Sequence, residues 1–295
     1  MLPNQIQITT GENLSQNANL EFNELVIDFE SSSNLNYADM LSLSKGLDVI
    51  SEFYDVLGAV SVTPTGICAV SLGKTMEDAV KNIIDSDPID FIKSTIVLSN
   101  EVNNDTAKML KGTSIIAAPK FTKNAIEYFE THNITYVTIK TPLNDYKQFL
   151  PNKVINTPLG TLTETPNYNE LNKDSFKVVT KTKPSVEQIE DAVFAWKVAK
   201  HSNSRAIVIA KDLKTNSIAQ GLQLSAVEYA LDYACDRSKD AILASDMNLS
   251  IHDLSVAAQG RIALVIVPDA SKDLVAAADK YNIVIITTGF TNIKY

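Results

Sequence analysis

Cysteine is scarce in this chain. Of 295 residues only Cys68 and Cys235 carry a thiol, too few for a disulfide framework or a cysteine-rich zinc site. A zinc deaminase needs a metal ligand with a Glu two residues on, then Pro-Cys-x-x-Cys, and neither cysteine has a partner at that spacing. Histidine is nearly as rare, and His132, His201 and His252 fall in different elements. No Gly-x-Gly-x-x-Gly and no Gly-x-x-x-x-Gly-Lys-[Ser/Thr] loop occurs, so the common phosphate cradles are missing. Basic charge is also short, with 26 Lys and Arg against 35 Asp and Glu and a net charge of −9. That balance argues against a nucleic-acid partner, although a helix start can still hold a small anion. Apolar runs such as Ile262 to Val267 are far too short to cross a bilayer. The N-terminal MLPNQIQITTGENLSQ lacks the basic region and apolar core of a signal peptide. The expectation is a cytoplasmic protein with no metal and no membrane contact.

What is present is a core. The apolar fraction of 45% and charged fraction of 21% describe a globular chain, long enough for two domains or one large one. Its organising stretch is Ser185 to Asp212, an amphipathic helix running into a buried strand. Ser185 and Gln188 form a capping box. Ile189, Ala192, Val193, Trp196 and Ala199 fall at helical spacing. Lys197, Lys200 and His201 lie off that stripe near the helix end, where cations suit the dipole and His201 reads as a cap. Ala206 to Ala210 is a short β-branched run typical of an interior strand. Cys68, on a strand, reads as a small buried hydrophobe.

The order of elements repeats. After a polar start and a strand at Leu20 to Phe29, a helix is predicted over Tyr37 to Phe53, then strands at Leu57 to Val62 and Ile67 to Leu72. A Thr75-capped helix, a strand at Thr95 to Leu98, a helix at Asp105 to Leu110, a strand at Ser114 to Ala118, a helix at Lys123 to Thr131 and a strand at Thr135 to Ile139 complete the first half. The second runs helix 186–201, strands 206–210 and 218–224, helix 225–234, strand 241–244, helix 252–259, strand 262–267, helix 271–280 and strand 282–287. Pro119 and Pro268 match at an offset of 149 residues, as do Thr138 and Thr287. The reading is two α/β units, residues 1–149 and 175–295, joined by a polar linker at 150–174. Mixed sheets covered on both faces follow, and a ligand pocket is favoured where the halves meet.

These residues also carry a resemblance. FAWKVAKHSNSRAIVIAKD resembles the Trp-Lys-x-x-Lys-x-x-x-Ser-Asn-Ala-Ile-Val segment of the AICAR transformylase domain, the C-terminal part of the bifunctional AICAR transformylase/IMP cyclohydrolase. VVTKTKPSVEQIEDA is similar to that family's approach to the same helix. Ala244-Ser245-Asp246, LVAAADKYNIVIITTG, Asp87-Pro88 and EVNNDTAKML fit as well. Gly11-Glu12-Asn13 with Gln16 resembles what is left of Arg-Tyr-Gly-Glu-Asn-Pro-His-Gln. The likeness runs from about Ile8 to Tyr295. It implies two tandem cytidine-deaminase-like three-layer α/β/α units, sites formed across a homodimer, and no cyclohydrolase domain.

The departures sit at the family's chemistry. Its reaction moves a formyl group from 10-formyltetrahydrofolate to the weakly nucleophilic 5-amino group of AICAR, so proton removal and oxyanion stabilisation matter most. The Lys-His pair of Lys-His-Ala-Asn-Pro-Cys-Gly aligns with Val60 and Ser61 in Val60-Ser61-Val62-Thr63-Pro64-Thr65-Gly66, and neither can relay a proton. The Asn of Ser-Asn-Ala aligns with Arg205, a bulkier and permanently charged group. Two arginines that would meet the anionic substrate align with Thr9 and Thr291. The Gly-Gly after Asp-Pro falls in Ile92-Lys93-Ser94, and the Gly-Gln-Met-Ser-Arg loop becomes Leu222-Gln223-Leu224-Ser225-Ala226.

Two readings follow. One is a degenerate homologue of purine biosynthesis that binds a purine nucleotide or a partner, as a homodimer or in a heterodimer with a transformylase homologue. The other is a formyltransferase making FAICAR with a divergent residue set and 10-formyltetrahydrofolate. The retained binding candidates are Gly11, Glu12, Asn13, Pro64, Gly66, Asp87, Lys93, Lys200, His201, Arg205, Gln223, Ser225 and Asp246, with Val60, Ser61 and Arg205 expected to line one cleft.

Overall fold

The structure, a computed structural model, describes residues 5–8, 16, 18–21, 27–167, 171, 176–221 and 225–294. The chain starts with a two-stranded pair, β1 (Gln5–Ile8) and β2 (Ala18–Glu21), then an edge strand β3 (Phe29–Ser31). Next come α1 (Tyr37–Ile50), the hairpin β4 (Gly58–Thr63) and β5 (Gly66–Leu72), and α2 (Met76–Ser86). The first half closes with β6 (Thr95–Leu98), α3 (Asn104–Met109), β7 (Ile115–Ala118), α4 (Lys123–Thr131) and β8 (Thr135–Ile139). A second isolated hairpin, β9 (Lys153–Thr157) and β10 (Gly160–Glu164), and a short strand β11 (Lys177–Val178) lead to α5 (Val186–His201). The remainder is β12 (Ile207–Lys211), β13 (Lys214–Ala219), α6 (Ala226–Ala234), β14 (Ile242–Ser245), α7 (Ile251–Gln259), β15 (Leu264–Val267), α8 (Lys272–Tyr281) and β16 (Val284–Thr287).

The fold is α/β, as expected, and the repeat is a repeat of structure. Tyr37 and Val186, Gly58 and Ile207, Ile115 and Leu264, and Lys123 and Lys272 each begin equivalent elements 149 residues apart. Twelve strands form one sheet in the order β11-β16-β15-β14-β12-β13-β5-β4-β6-β7-β8-β3. Within each half, an antiparallel hairpin leads into three mutually parallel strands, β6-β7-β8 and β14-β15-β16, joined by helical crossovers. The halves meet where β5 and β13 pair antiparallel at Ser71 and Lys214.

Strand periodicity divides the core. Val60, Val97, Ile115, Val208, Ile242 and Ile266 face a layer made by α1 and α5, and that apolar cluster is continuous across both halves. Phe53 and Phe194 pack 5.5 Å apart there, one from each half. Alternate residues face the other way: Ala59, Ile96 and Ile116 against α2, α3 and α4, and Ile207, Leu243 and Val265 against α6, α7 and α8. On that side each half has its own cluster. Four helices start with reciprocal capping boxes, at Asn36/Asp39, Thr75/Asp78, Ser185/Gln188 and Ser250/Asp253.

Several expectations need correction. The segment 150–174, read as a linker, contains the β9–β10 hairpin, whose solvent-facing polar residues hid its pairing. The strand expected at 218–224 instead spans Lys214–Ala219, because Asp212 and Leu213 make a tight turn with φ of 55° at both residues. The Asp191 carboxylate holds that turn by accepting the amides of Asp212 and Leu213 at 3.0 and 2.7 Å. In place of one strand at Leu20 to Phe29 there are two, β2 and β3, with Ile27 and Asp28 outside either. The helix end at Ser51–Phe53 tightens into a 3-10 turn. In α5, Ile189 and Val193 are half-buried while Phe194, Ala195 and Val198 are buried, since α5 packs on α1 as well as on the sheet.

Gly46 on α1 tests this packing. A Cβ there would collide with the Val97 side chain of β6. Alanine improves helix propensity by about 1 kcal/mol, whereas overpacking a filled core costs about 1–3 kcal/mol. Gly46→Ala should therefore lower the denaturant midpoint of the chain.

Candidate functional site

The β5–β13 junction is short. Leu72 N–H donates to Leu213 O at 2.9 Å beside the Ser71–Lys214 pair, and beyond it side chains replace the ladder. Thr215 Oγ1 accepts from Val70 N–H at 3.0 Å and donates to Val70 O at 3.2 Å. Further along, Gln220 Nε2 donates to Ile67 O at 2.8 Å and its Oε1 accepts from Ile67 N–H at 3.5 Å. The strands have diverged, and an amide side chain satisfies the buried backbone between them. Asn203 completes the seam by donating from Nδ2 to Thr65 O at 3.0 Å.

A cavity of about 460 Å³ opens beside this seam. Its floor is Thr63, Thr65, Gly66, Ile67 and Cys68 from the β4–β5 hairpin. Asp87 and Asp90, just after α2, form one wall, and Asn203, Ile218, Gln220, Gly221, Tyr229 and Tyr233 of the second half form the other. No lysine, arginine or histidine lines it among the described residues. Burial, followed by the charges of Asp90 and Asp87, pushes the Cys68 thiol up to about 12, so it is a protonated wall group and not a nucleophile. Cys68 is only half-buried and faces the cavity, which corrects its reading as a core residue. Burial and then Asp87 raise the Asp90 carboxyl, and burial with the hydrogen bond and charge of Asp87 raises the Tyr233 phenol.

The binding candidates scatter. Gly66 and Asp87 line the cavity. Gly66 also has a structural reason, because a Cβ there would press on the Gln220 amide at 2.5 to 2.6 Å. Pro64 is exposed at the hairpin tip, and Lys93 is exposed on a loop with φ of 67°. Arg205 and Ser225 line a separate pocket of about 30 Å³ with Asn248 and Asp253. Behind it the buried Asp246 carboxylate accepts from Ser204 Oγ and from Ala206 N–H at 2.9 Å, and burial raises its pKa. Gly11, Glu12, Asn13 and Gln223 lie outside the described residues.

Val60, Ser61 and Arg205 do not share a cleft in this chain. Val60 is buried on the α1/α5 face, and Ser61 Oγ on the opposite face donates to Ser94 Oγ at 2.9 Å. Two intervening strands, β5 and β13, separate them from the Arg205 end of β12. Adjacent residues of a strand face opposite ways, so a Lys-His pair at 60 and 61 was never going to point into one pocket of a single chain.

Lys200 and His201 are engaged elsewhere. Glu52, in the turn after α1, is buried and accepts from Lys200 Nζ at 2.7 Å and His201 Nε2 at 3.1 Å. Lys197 Nζ donates to Glu52 O at 2.7 Å while lying 5.2 Å over the Phe53 ring. Burial opposes the Glu52 charge, but the His201 hydrogen bond and the charges at His201 and Lys200 outweigh it and hold the carboxyl far below its usual range. Burial lowers the pKa of His201, working against the hydrogen bond and charge of Glu52 that raise it. Sequence reasoning missed Glu52, Asn203, Gln220, Tyr229 and Tyr233. Glu52 left one trace, an acid at the end of a helix whose other partners are apolar. Among the described residues no three His, Cys, Asp or Glu side chains gather to hold a metal.

Comparison with known proteins fits this architecture. Residues 2–235 match the model of the AICARFT/IMPCHase bienzyme family. The chain belongs to that family. The bifunctional purine biosynthesis protein PurH of Caldicellulosiruptor saccharolyticus is 32% identical over 97% of this chain and 58% of its own length. PurH of Fusobacterium nucleatum is 31% identical over 96% of this chain and 56% of its own, and PurH of Anoxybacillus flavithermus is 29% identical over 88% and 52%. The chain thus spans about half the length of the curated relatives it matches. Among the described residues no helix is long and apolar enough to cross a membrane.

Removing the charge of Glu52 leaves Lys200 buried without a counter-ion, so Glu52→Gln should destabilise the chain by about 3–5 kcal/mol in denaturant titration. The double variant Glu52→Gln/Lys200→Met should recover part of that loss. His201 gives a pH signature. Its folded pKa lies below the ordinary 6.5, so the unfolded chain takes up a proton that the folded chain refuses. Stability is therefore complete above that value and falls as the pH drops through the window beneath it. His201→Gln should lack this component when melting temperatures are compared between neutral and mildly acidic buffer.

Proposed function

We propose that this chain is an AICAR transformylase-like homologue that does not transfer a formyl group and serves as a ligand-binding or partner subunit in purine biosynthesis. The observation that carries the reading is the state of positions 60 and 61. Where the family resemblance implies Lys and His, Val60 is sealed in the apolar core and Ser61 is tied to Ser94 inside the sheet. Neither can take the proton from a weakly nucleophilic amine. Residues that act as a unit lose most of the rate together, by several orders of magnitude.

The alternative, an active formyltransferase using 10-formyltetrahydrofolate, would need replacement proton carriers. Lys200 and His201 are the nearest in kind, and both are committed to Glu52. Asp246, with its raised carboxyl next to Arg205, is the remaining candidate. A cytoplasmic homodimer, or a heterodimer with a complete transformylase homologue, suits the degenerate reading, because a subunit without its own proton carriers can still supply binding surface to a partner.

Incubating the purified chain with AICAR and 10-formyltetrahydrofolate should give no FAICAR above the uncatalysed background. Turnover that disappears in Asp246→Asn or Arg205→Ala would overturn the proposal in favour of a divergent enzyme.

A further inference from the structure

We propose that the seam cavity binds a small organic cation, a protonated amine or amidinium carrying a flat apolar face, and excludes phosphates and carboxylates. The assignment concerns the cavity alone and stands whether or not the chain transfers formyl groups.

The lining decides the sign of the ligand. Asp87 and Asp90 stand on one side, and the Tyr229 and Tyr233 rings come from α6 on the other. No described cationic side chain lines the space between them. The seam amides each spend one N–H on a backbone carbonyl, Gln220 on Ile67 O and Asn203 on Thr65 O, and being neutral they offer an anion no charge. Arg237, whose charge reaches Tyr233, is held by four backbone carbonyls, those of Asp85, Ser86, Tyr233 and Ala234, at 3.1 to 3.3 Å. The acceptors are the groups left over. The Asp90 carboxylate takes no hydrogen bond from any described residue, and the buried Asp87 carboxylate, which accepts from Asp90 N–H at 3.0 Å and from the Tyr233 hydroxyl, has acceptor capacity beyond those two bonds.

Shape and field agree with that sign. A volume of about 460 Å³ is the size of a small-molecule pocket rather than of a bare metal ion. Aromatic rings opposite carboxylates supply the two attractions an organic cation uses, cation–π contact and a charge-assisted hydrogen bond. Burial is the first cause of the upward shifts of Cys68, Asp90 and Tyr233, and a neighbouring carboxylate adds to each of them. A phosphate would meet that field with neutral hydroxyl and amide donors only and no cation among the described lining residues.

Benzamidine, benzamide and benzoate share size and shape but carry charges of opposite sign or none, which makes them suitable probes. Calorimetric titration of the full chain should show benzamidine binding about tenfold or more tighter than benzamide, with benzoate and inorganic phosphate not binding. The affinity should weaken as salt rises, because the attraction is screened. Asp90 and Tyr229 are exposed, so Asp90→Asn and Tyr229→Ala should fold normally by circular dichroism and each weaken benzamidine by about fivefold or more. Equal affinity for benzamidine and benzamide, binding of benzoate or phosphate at least as tight, no benzamidine binding at about 10 mM, or full affinity in folded Asp90→Asn would each overturn the assignment.

Discussion

Everything distinctive in this molecule depends on how two strands from different halves are joined at the centre of a twelve-stranded sheet. Backbone amides in a sheet interior must be paired, and β5 and β13 run together only around Ser71 and Lys214. Beyond that point the Thr215 hydroxyl and then the Gln220 amide take over the unpaired groups of Val70 and Ile67. The reach of each side chain sets the gap, a hydroxyl where the strands are near and a longer amide where they have spread. The cavity is what remains of that spreading, and Gly66 keeps it compatible with the amide that closes it.

A second organising contact lies on the α1/α5 side of the sheet. Glu52 gathers Lys200 and His201 of the opposite half at its buried carboxylate and Lys197 at its main-chain carbonyl. The groups with the most obvious chemical potential in the sequence are thus ordering the interface between halves. A net negative chain with few histidines has concentrated its buried cations at a structural junction and left its cavity acidic. Family membership is established by the match over residues 2–235, and local chemistry has moved independently of that scaffold.

Most of the framework was legible from the residues. Capping pairs such as Thr75/Asp78 and Ser185/Gln188, alternating or β-branched runs such as Ile115 to Ala118, and the 149-residue offset located helices, strands and repeat, because all three signals are local or periodic. The cavity was only partly legible. Gly66 and Asp87 were singled out through resemblance, but Asn203, Gln220 and Tyr233 gain their meaning from contacts across some 140 residues of chain, which no spacing reveals. The Asp212–Leu213 turn was missed because Leu at positive φ has no favourable propensity and is held there by Asp191, a tertiary contact. Val60 and Ser61 were expected in a cleft, yet strand alternation already places neighbouring residues on opposite faces.

The core is continuous on one side of the sheet and divided on the other. This asymmetry constrains how such a duplicated chain can drift. Among the described residues the α2–α4 and α6–α8 layers meet only along their inner edge, where the end of α2 packs on β13 and Arg237 donates to Asp85 O and Ser86 O, so side chains away from that edge are free to change volume independently. The α1 and α5 layer has no such freedom: a larger residue at Phe53 must be matched by a smaller one near Phe194. A chimaera taking one half from a distant relative would keep two of its three apolar clusters intact and would fail, or be rescued, in the third.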